Sequence, residues 1–294
     1  MGVVVSARRI AATPFRPAIA DRRFRCDTGD MCAQHVSNGN GEAIELARRF
    51  VAIRHVDAGA AFLAGSQAGG NASASSDFDI VLLFDSLPQG AWREMTEFEG
   101  RAAEVFAHDP STLAYFCWQI DRPSGIPALP DMVRAGIIVA GAEDDELVKQ
   151  ARRLADEVLN ARPPPLDDQA LEMRRFALTE LANALQPDRP DDSLCAAGAA
   201  LYTSLGDFAL RAAGCWSASG KALPKALAKM DAELSREFAN AFEALFTRSD
   251  TAPVQALVAR VLKPYGGPLR VGFRLSAPPD WRQDIASPEV RSVE

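Results

Sequence analysis

Asp77 and Asp79 open an apolar run, DFDIVLLF, with one residue between them. Successive side chains of a strand point to opposite faces, so residues two apart share a face and sit roughly 6.6 Å apart along the chain. If the run is a strand, both carboxylates project from one side, and Phe78 and Ile80 from the other. Two carboxylates so placed can coordinate a hard divalent cation, and magnesium favours oxygen ligands that it shares with substrate phosphates. Upstream, the short apolar run Ala60 to Ala64 ends in Gly65-Ser66. A tight turn or helix start there offers free backbone N–H groups, which with the Ser66 hydroxyl make an anion site suited to phosphate. A phosphate cradle beside metal-binding carboxylates is the equipment of phosphoryl or nucleotidyl transfer.

Each half of this pattern has an ordinary explanation by itself. An Asp-x-Asp pair is common on solvated strand ends, and GGNASASS alone reads as a flexible linker. Such a linker does not usually join two buried-looking strands and carry Gly-Ser at this distance from the pair. Taken together, Gly65, Ser66, Ala68, Gly70, Ala72, Ser76, Asp77 and Asp79 resemble the signature of the DNA polymerase β-like nucleotidyltransferase superfamily, in the spacing of its minimal and antibiotic-modifying members. The resemblance covers roughly residues 41–110. One position departs from it: Gly69 stands where these proteins often carry arginine.

The resemblance implies that Gly65, Ser66 and Ser76 contact nucleotide and that Asp77 and Asp79 hold Mg²⁺. It also implies a third carboxylate from a later strand, for which AAEVFAHD offers Glu104, completing the metal site or taking the acceptor proton. His108 and Asp109 close by are read as a structural neighbour and a helix cap. Farther along, Trp216, Gly220-Lys221 and Pro224-Lys225 are similar in outline to the helical domain of kanamycin nucleotidyltransferase-like proteins. Lys221 and Lys225 lie four apart, a spacing that can place both on one helix face pointing at phosphates. A solvated face is the alternative for the lysines, and core packing for Trp216.

These residues must be positioned by regular elements. GEAIELARRFVAIRH places Leu46, Phe50 and Ile53 at helical spacing, with Ala43 and Ala47 alongside. Ala60 to Ala64 and Asp77 to Phe84 read as strands. Arg93 to Glu99 and Ala102 to Ala107 flank Gly100 as a hairpin. Asp109-Pro110 reads as an N-cap and first-turn proline opening a helix through about Gln119. A helix near Asp131 to Ala135, a strand Ile137 to Val139 and a helix Glu143 to Asn160 follow. RPPPL, Arg162 to Leu166, is the clearest linker, since proline stops the helix and stiffens the chain. Beyond it, Ala- and Leu-rich segments at about 167–186, 192–213, 222–230, 231–248 and 253–263 read as a helical bundle.

Composition bounds the rest. The 294 residues are 48% hydrophobic and 24% charged, a globular balance, and the longest strongly apolar runs fall short of the ~20 residues that span a bilayer. The net charge of −7 is unevenly spread: residues 1–40 carry +3 and the remainder −10. An acidic body repels polyphosphate backbones, so extended nucleic-acid binding is not expected, nor membrane association. Five scattered cysteines without C-x-x-C spacing suggest neither a zinc site nor a disulfide framework, and so a reduced, cytoplasmic setting.

The fold expected is therefore α+β. A basic tail (1–40) precedes a nucleotidyltransferase domain (41–161) with a small mixed sheet and flanking helices. A helical bundle domain (162–278) and a loose tail (279–294) follow. The activity implied by the resemblance is Mg²⁺-dependent transfer of a nucleoside monophosphate, AMP from ATP on resemblance, to a small hydroxylated acceptor such as an aminoglycoside. The alternatives are a toxin-like enzyme acting on protein or RNA, and a nucleotide-binding regulator without turnover.

Overall fold

The computed structural model describes residues 38–68 and 77–277. Gly69, Gly70, Ala72 and Ser76 of the sequence signature, and most of both expected tails, lie outside the described residues.

The first half is a mixed sheet between two layers of helix. Helix α1 (Asn38–Arg54) leads to β1 (Ala60–Ala64), a single helical turn α2 (Gly65–Ala68) and β2 (Phe78–Leu83). Strands β3 (Trp92–Phe98) and β4 (Arg101–His108) form the expected hairpin. Its two-residue turn works because Glu99 and Gly100 both take positive φ, 48° and 76°, which a tight turn of matching twist demands. Helix α3 (Pro110–Tyr115), a π-helix (Phe116–Asp121), α4 (Arg122–Ser124), α5 (Ala128–Ala135), β5 (Ile137–Ala140) and α6 (Glu146–Ala161) complete this half. The strand order is β3-β4-β2-β1-β5; β2 and β4 run parallel, and every other pairing is antiparallel.

Strand alternation splits the core in two. Leu63, Ile80, Leu82, Val105 and Ala107 face α1, where Ala43, Leu46, Ala47, Phe50 and Val51 are buried. Phe62, Val81 and Leu83 face the other way, against Leu113, Val133, Val148 and Val158. Ile53 departs from its expected place: in the last turn of α1 it is 62% exposed, turned roughly 200° away from buried Val51 two residues earlier.

Asp109 caps α3 as its position suggests. Its carboxylate accepts from the Thr112 backbone N–H, the Asp109 N–H donates to the Thr112 hydroxyl oxygen, and the Leu87 N–H donates to the carboxylate at 2.9 Å. These bonds hold the carboxyl below the usual range. The helix does not stop near Gln119. It continues as a π-helix because Pro123 has no N–H for the Gln119 carbonyl, and Arg122 N–H reaches back to Cys117 instead.

The second half is the bundle: α7 (Asp168–Ala184), α8 (Asp191–Ala212), α9 (Leu223–Met230), α10 (Ala232–Arg248) and α11 (Ala252–Leu262) around Leu178, Leu201, Leu205, Phe208, Phe238 and Leu257. Helix α8 is long and apolar enough, by length and composition, to cross a membrane. No unbroken apolar run marks it in the sequence, because Thr203, Ser204 and Asp207 interrupt its Ala-rich stretch. In the fold it is the core helix, with Leu194, Leu201, Leu205, Phe208 and Leu210 almost fully buried.

Candidate nucleotide and metal site

The end of β1 and the start of β2 lie side by side. Ala64 pairs with Asp79 across that antiparallel ladder, and on the other side Asp79 is in register with Glu104 of the parallel strand β4. Strands are roughly 4.8 Å apart, and register partners share a face, so the two carboxylates stand next to each other. Asp77 is exposed, one residue ahead of β2, and its charge reaches Asp79. Burial raises the Asp79 pKa, the Glu104 and Asp77 charges push the same way, and Lys221 and Arg93 oppose them.

Gly65 is indispensable to this geometry. Its φ is +64°, and a Cβ built on it would sit 1.8 Å from Asp79 Oδ2. Only a residue without a side chain lets the chain turn into α2 against the carboxylate. Ser66 is half-buried in that turn.

Two of the expected partners arrive from elsewhere. Lys221 belongs to the second half, yet it is among the leading charges acting on Asp79. The segment carrying it is fixed to the first half: Ser217 N–H donates to Gly125 O at 2.8 Å, and Trp216 Nε1 donates to Leu159 O at 3.1 Å. Buried Arg211 donates to Pro164 O at 3.0 Å, within the proline linker. Trp216 is thus a packing and docking residue. Lys225 is exposed near the start of α9, a turn farther along.

Arg93 was not anticipated. It forms an ion pair and hydrogen bond with Glu104 and lies over the Phe106 ring, 5.1 Å from its centroid. Glu104 is therefore held by a cation from the edge strand. Among the described residues, no group of three or more His, Cys, Asp or Glu side chains forms a ready metal cluster. Oxygen donors at Asp77 and Asp79 suit a hard cation, and the like charge gathered around Asp79 is what such a cation would relieve.

His108 lies on the same face of β4, four residues past Glu104, so roughly 13 Å from it by strand rise. It is 4% exposed, and burial lowers its pKa to about 4, opposed by the Asp109 charge. An unfolded histidine titrates near 6.5, so between pH 6.5 and 4 the unfolded chain takes a proton that the folded chain refuses. Stability should then fall with pH over that window, by up to ~3 kcal/mol from this group. Urea midpoints at pH 7 and pH 5 should separate clearly in wild type and much less in His108→Phe; equal separation would mean that His108 is not the group responsible.

Among the solved structures similar to this chain is a nucleotidyltransferase-like protein from Exiguobacterium sibiricum 255-15, 8% identical, with a TM-score of 0.39, the match covering 75% of this chain and 74% of that one. At that level the likeness carries no functional argument. No protein-family model matches the chain, and no curated protein does.

Proposed function

We propose that the protein is a metal-dependent nucleotidyltransferase that moves AMP from ATP to a hydroxyl of a small acceptor. The observation supporting this reading is the junction of Gly65 with Asp79 and Glu104: a glycine turn at one strand end, pressed against an acidic pair on the next two strands.

In this reading Gly65 and Ser66 receive the triphosphate, and Lys221 offsets its charge from the bundle side. Asp77 and Asp79 would hold Mg²⁺, which when bound would supply electrostatic stabilisation of the charge that develops on the α-phosphate. Glu104, steadied by Arg93, takes the proton of the acceptor hydroxyl. The acceptor oxygen bonds to the α-phosphorus, the bond to the β-phosphate bridge breaks, and pyrophosphate leaves. Positioning and charge are sufficient for such a transfer, and no protein nucleophile is needed.

Calorimetry with ATP tests the metal requirement. Binding should be clear with Mg²⁺ and at least ~10-fold weaker in EDTA, since bare carboxylates repel the polyanion. Equal affinity in both buffers would contradict the reading. Lys221→Ala should raise the KM for ATP several-fold while kcat changes less, as expected for a residue that binds the ground and transition states alike. Lys225→Ala should do less; the reverse order would place the wrong lysine at the phosphates.

A further inference from the structure

Beside Glu104, on the same face of the sheet, a cavity of about 310 Å³ opens between the β3–β4 hairpin and the helices that follow it. This is near the lower end of the ~300–1,000 Å³ range of small-ligand sites, so a compact ligand fits. Its apolar walls come from Phe106 of β4, Phe116 and Ile120 of the π-helix, and Leu129 and Met132 of α5. Phe116 and Ile120 are 39% and 46% exposed, a large apolar surface to leave open to water. Arg93 lines the cavity and is the partner of Glu104, so the cavity adjoins the acidic pair.

Asp121 is the one carboxylate among the described residues lining it. Its Oδ2 accepts the Leu129 N–H at 2.7 Å, which fixes the group in place, and burial raises its pKa, so a cation beside it would be welcome. Phe116, Ile120 and Asp121 all reach the cavity from the π-helix, a backbone form that recurs at functional sites because its wider turn re-aims side chains. The net charge of −7 favours the approach of a cation.

We infer that this cavity is the acceptor subsite and that it takes a hydroxylated arylalkylamine, its ring among Phe106, Phe116 and Ile120, its ammonium on Asp121 and its hydroxyl toward Glu104. A polyamino sugar, hydrated on all sides, would lose water from most of its hydroxyls against Phe106, Phe116, Ile120, Leu129 and Met132, which return no hydrogen bonds. The assignment of the cavity to an acceptor rests on the nucleotidyltransferase reading; the ligand chemistry does not. In the transfer, the acceptor's hydroxyl oxygen bonds to the α-phosphorus of ATP, its proton passes to Glu104, and pyrophosphate departs.

Tyramine is the probe, with 4-ethylphenol (no ammonium) and glucosamine (no apolar ring) as controls, titrated into the full chain without nucleotide or metal. Tyramine should bind at least ~10-fold tighter than either control, the scale of one desolvated charge contact. Asp121→Asn, whose side-chain oxygen can still accept the Leu129 N–H, should reduce tyramine to the level of 4-ethylphenol. Phe116→Ala, at a part-exposed position, should weaken it as well. Glucosamine binding as well as tyramine, no tyramine binding at millimolar concentration, or an unaffected Asp121→Asn variant would overturn the ligand class. With Mg²⁺ and ATP, tyramine should stimulate pyrophosphate release in wild type and not in Asp121→Asn. Tyramine binding without stimulation, in protein that binds Mg²⁺ and ATP, would overturn the acceptor assignment. Failure of ATP to bind at all would instead count against the nucleotidyltransferase reading and leave the binding result standing.

Discussion

Asp79→Asn should reduce turnover by at least ~10²-fold, the scale of removing a group that acts on transition-state charge, and should leave the thermal midpoint unchanged or higher. The two effects have one cause. Asp79 sits half-buried on β2 with Glu104 in register beside it and Asp77 two residues upstream, and this raises its pKa. For a carboxyl whose folded pKa lies above its unfolded value, the ionised form is the disfavoured one in the fold. The cost is fully present above the folded pKa and fades as pH falls through it. Asn keeps the shape and removes the charge, so the fold is relieved while the proposed metal site loses one of its carboxylates. Such opposition is expected where a site is kept strained for its function. Turnover assays and a melting curve on the same preparation check it; a clear loss of stability would mean that Asp79 serves the fold instead.

Gly65→Ala should be nearly as damaging to turnover, about 10²-fold, with a stability cost of ~1–3 kcal/mol. The new Cβ would fall 1.8 Å from Asp79 Oδ2 and 2.8 Å from its Cγ, so the carboxylate must swing away from its place. Gly90→Ala is the control. Its φ is +86°, but nothing lies within 4 Å of the added carbon. It should cost about 1 kcal/mol in stability from the left-handed backbone alone and leave turnover intact. If both alanine variants lose turnover equally, the contact with Asp79 is not what Gly65 provides.

The limits of each element were legible where local signals set them. Gly65, Gly100, Pro110 and the three prolines after Arg162 punctuate the chain, and β1, the hairpin and the five bundle helices start and stop within a few residues of the expected places. Register was legible only in part. The turn at Glu99-Gly100 pairs Phe98 with Arg101; counting back from there sets Met95 opposite Glu104 and Arg93 one step along on the same face. That count, not any motif, was the available signal for Arg93. The π-helix followed from Pro123 but needed the backbone to reveal it. The docking of Ser217 on Gly125 and of Arg211 on Pro164 joins residues 47 or more positions apart, and no periodicity encodes such contacts. They are what carry Lys221 to the Asp79 face.

The most direct test follows the label. The protein is incubated with ATP labelled either at the α- or at the γ-phosphate, with a hydroxylated acceptor and Mg²⁺, and the acceptor is separated from nucleotide. Nucleotidyl transfer predicts label on the acceptor from α-labelled ATP, none from γ-labelled ATP, and none from either in EDTA or with Asp79→Asn. Label arriving from the γ-phosphate would mean that the site performs phosphoryl transfer, and that Gly65, Asp77, Asp79 and Glu104 are arranged around a different phosphorus from the one assigned here.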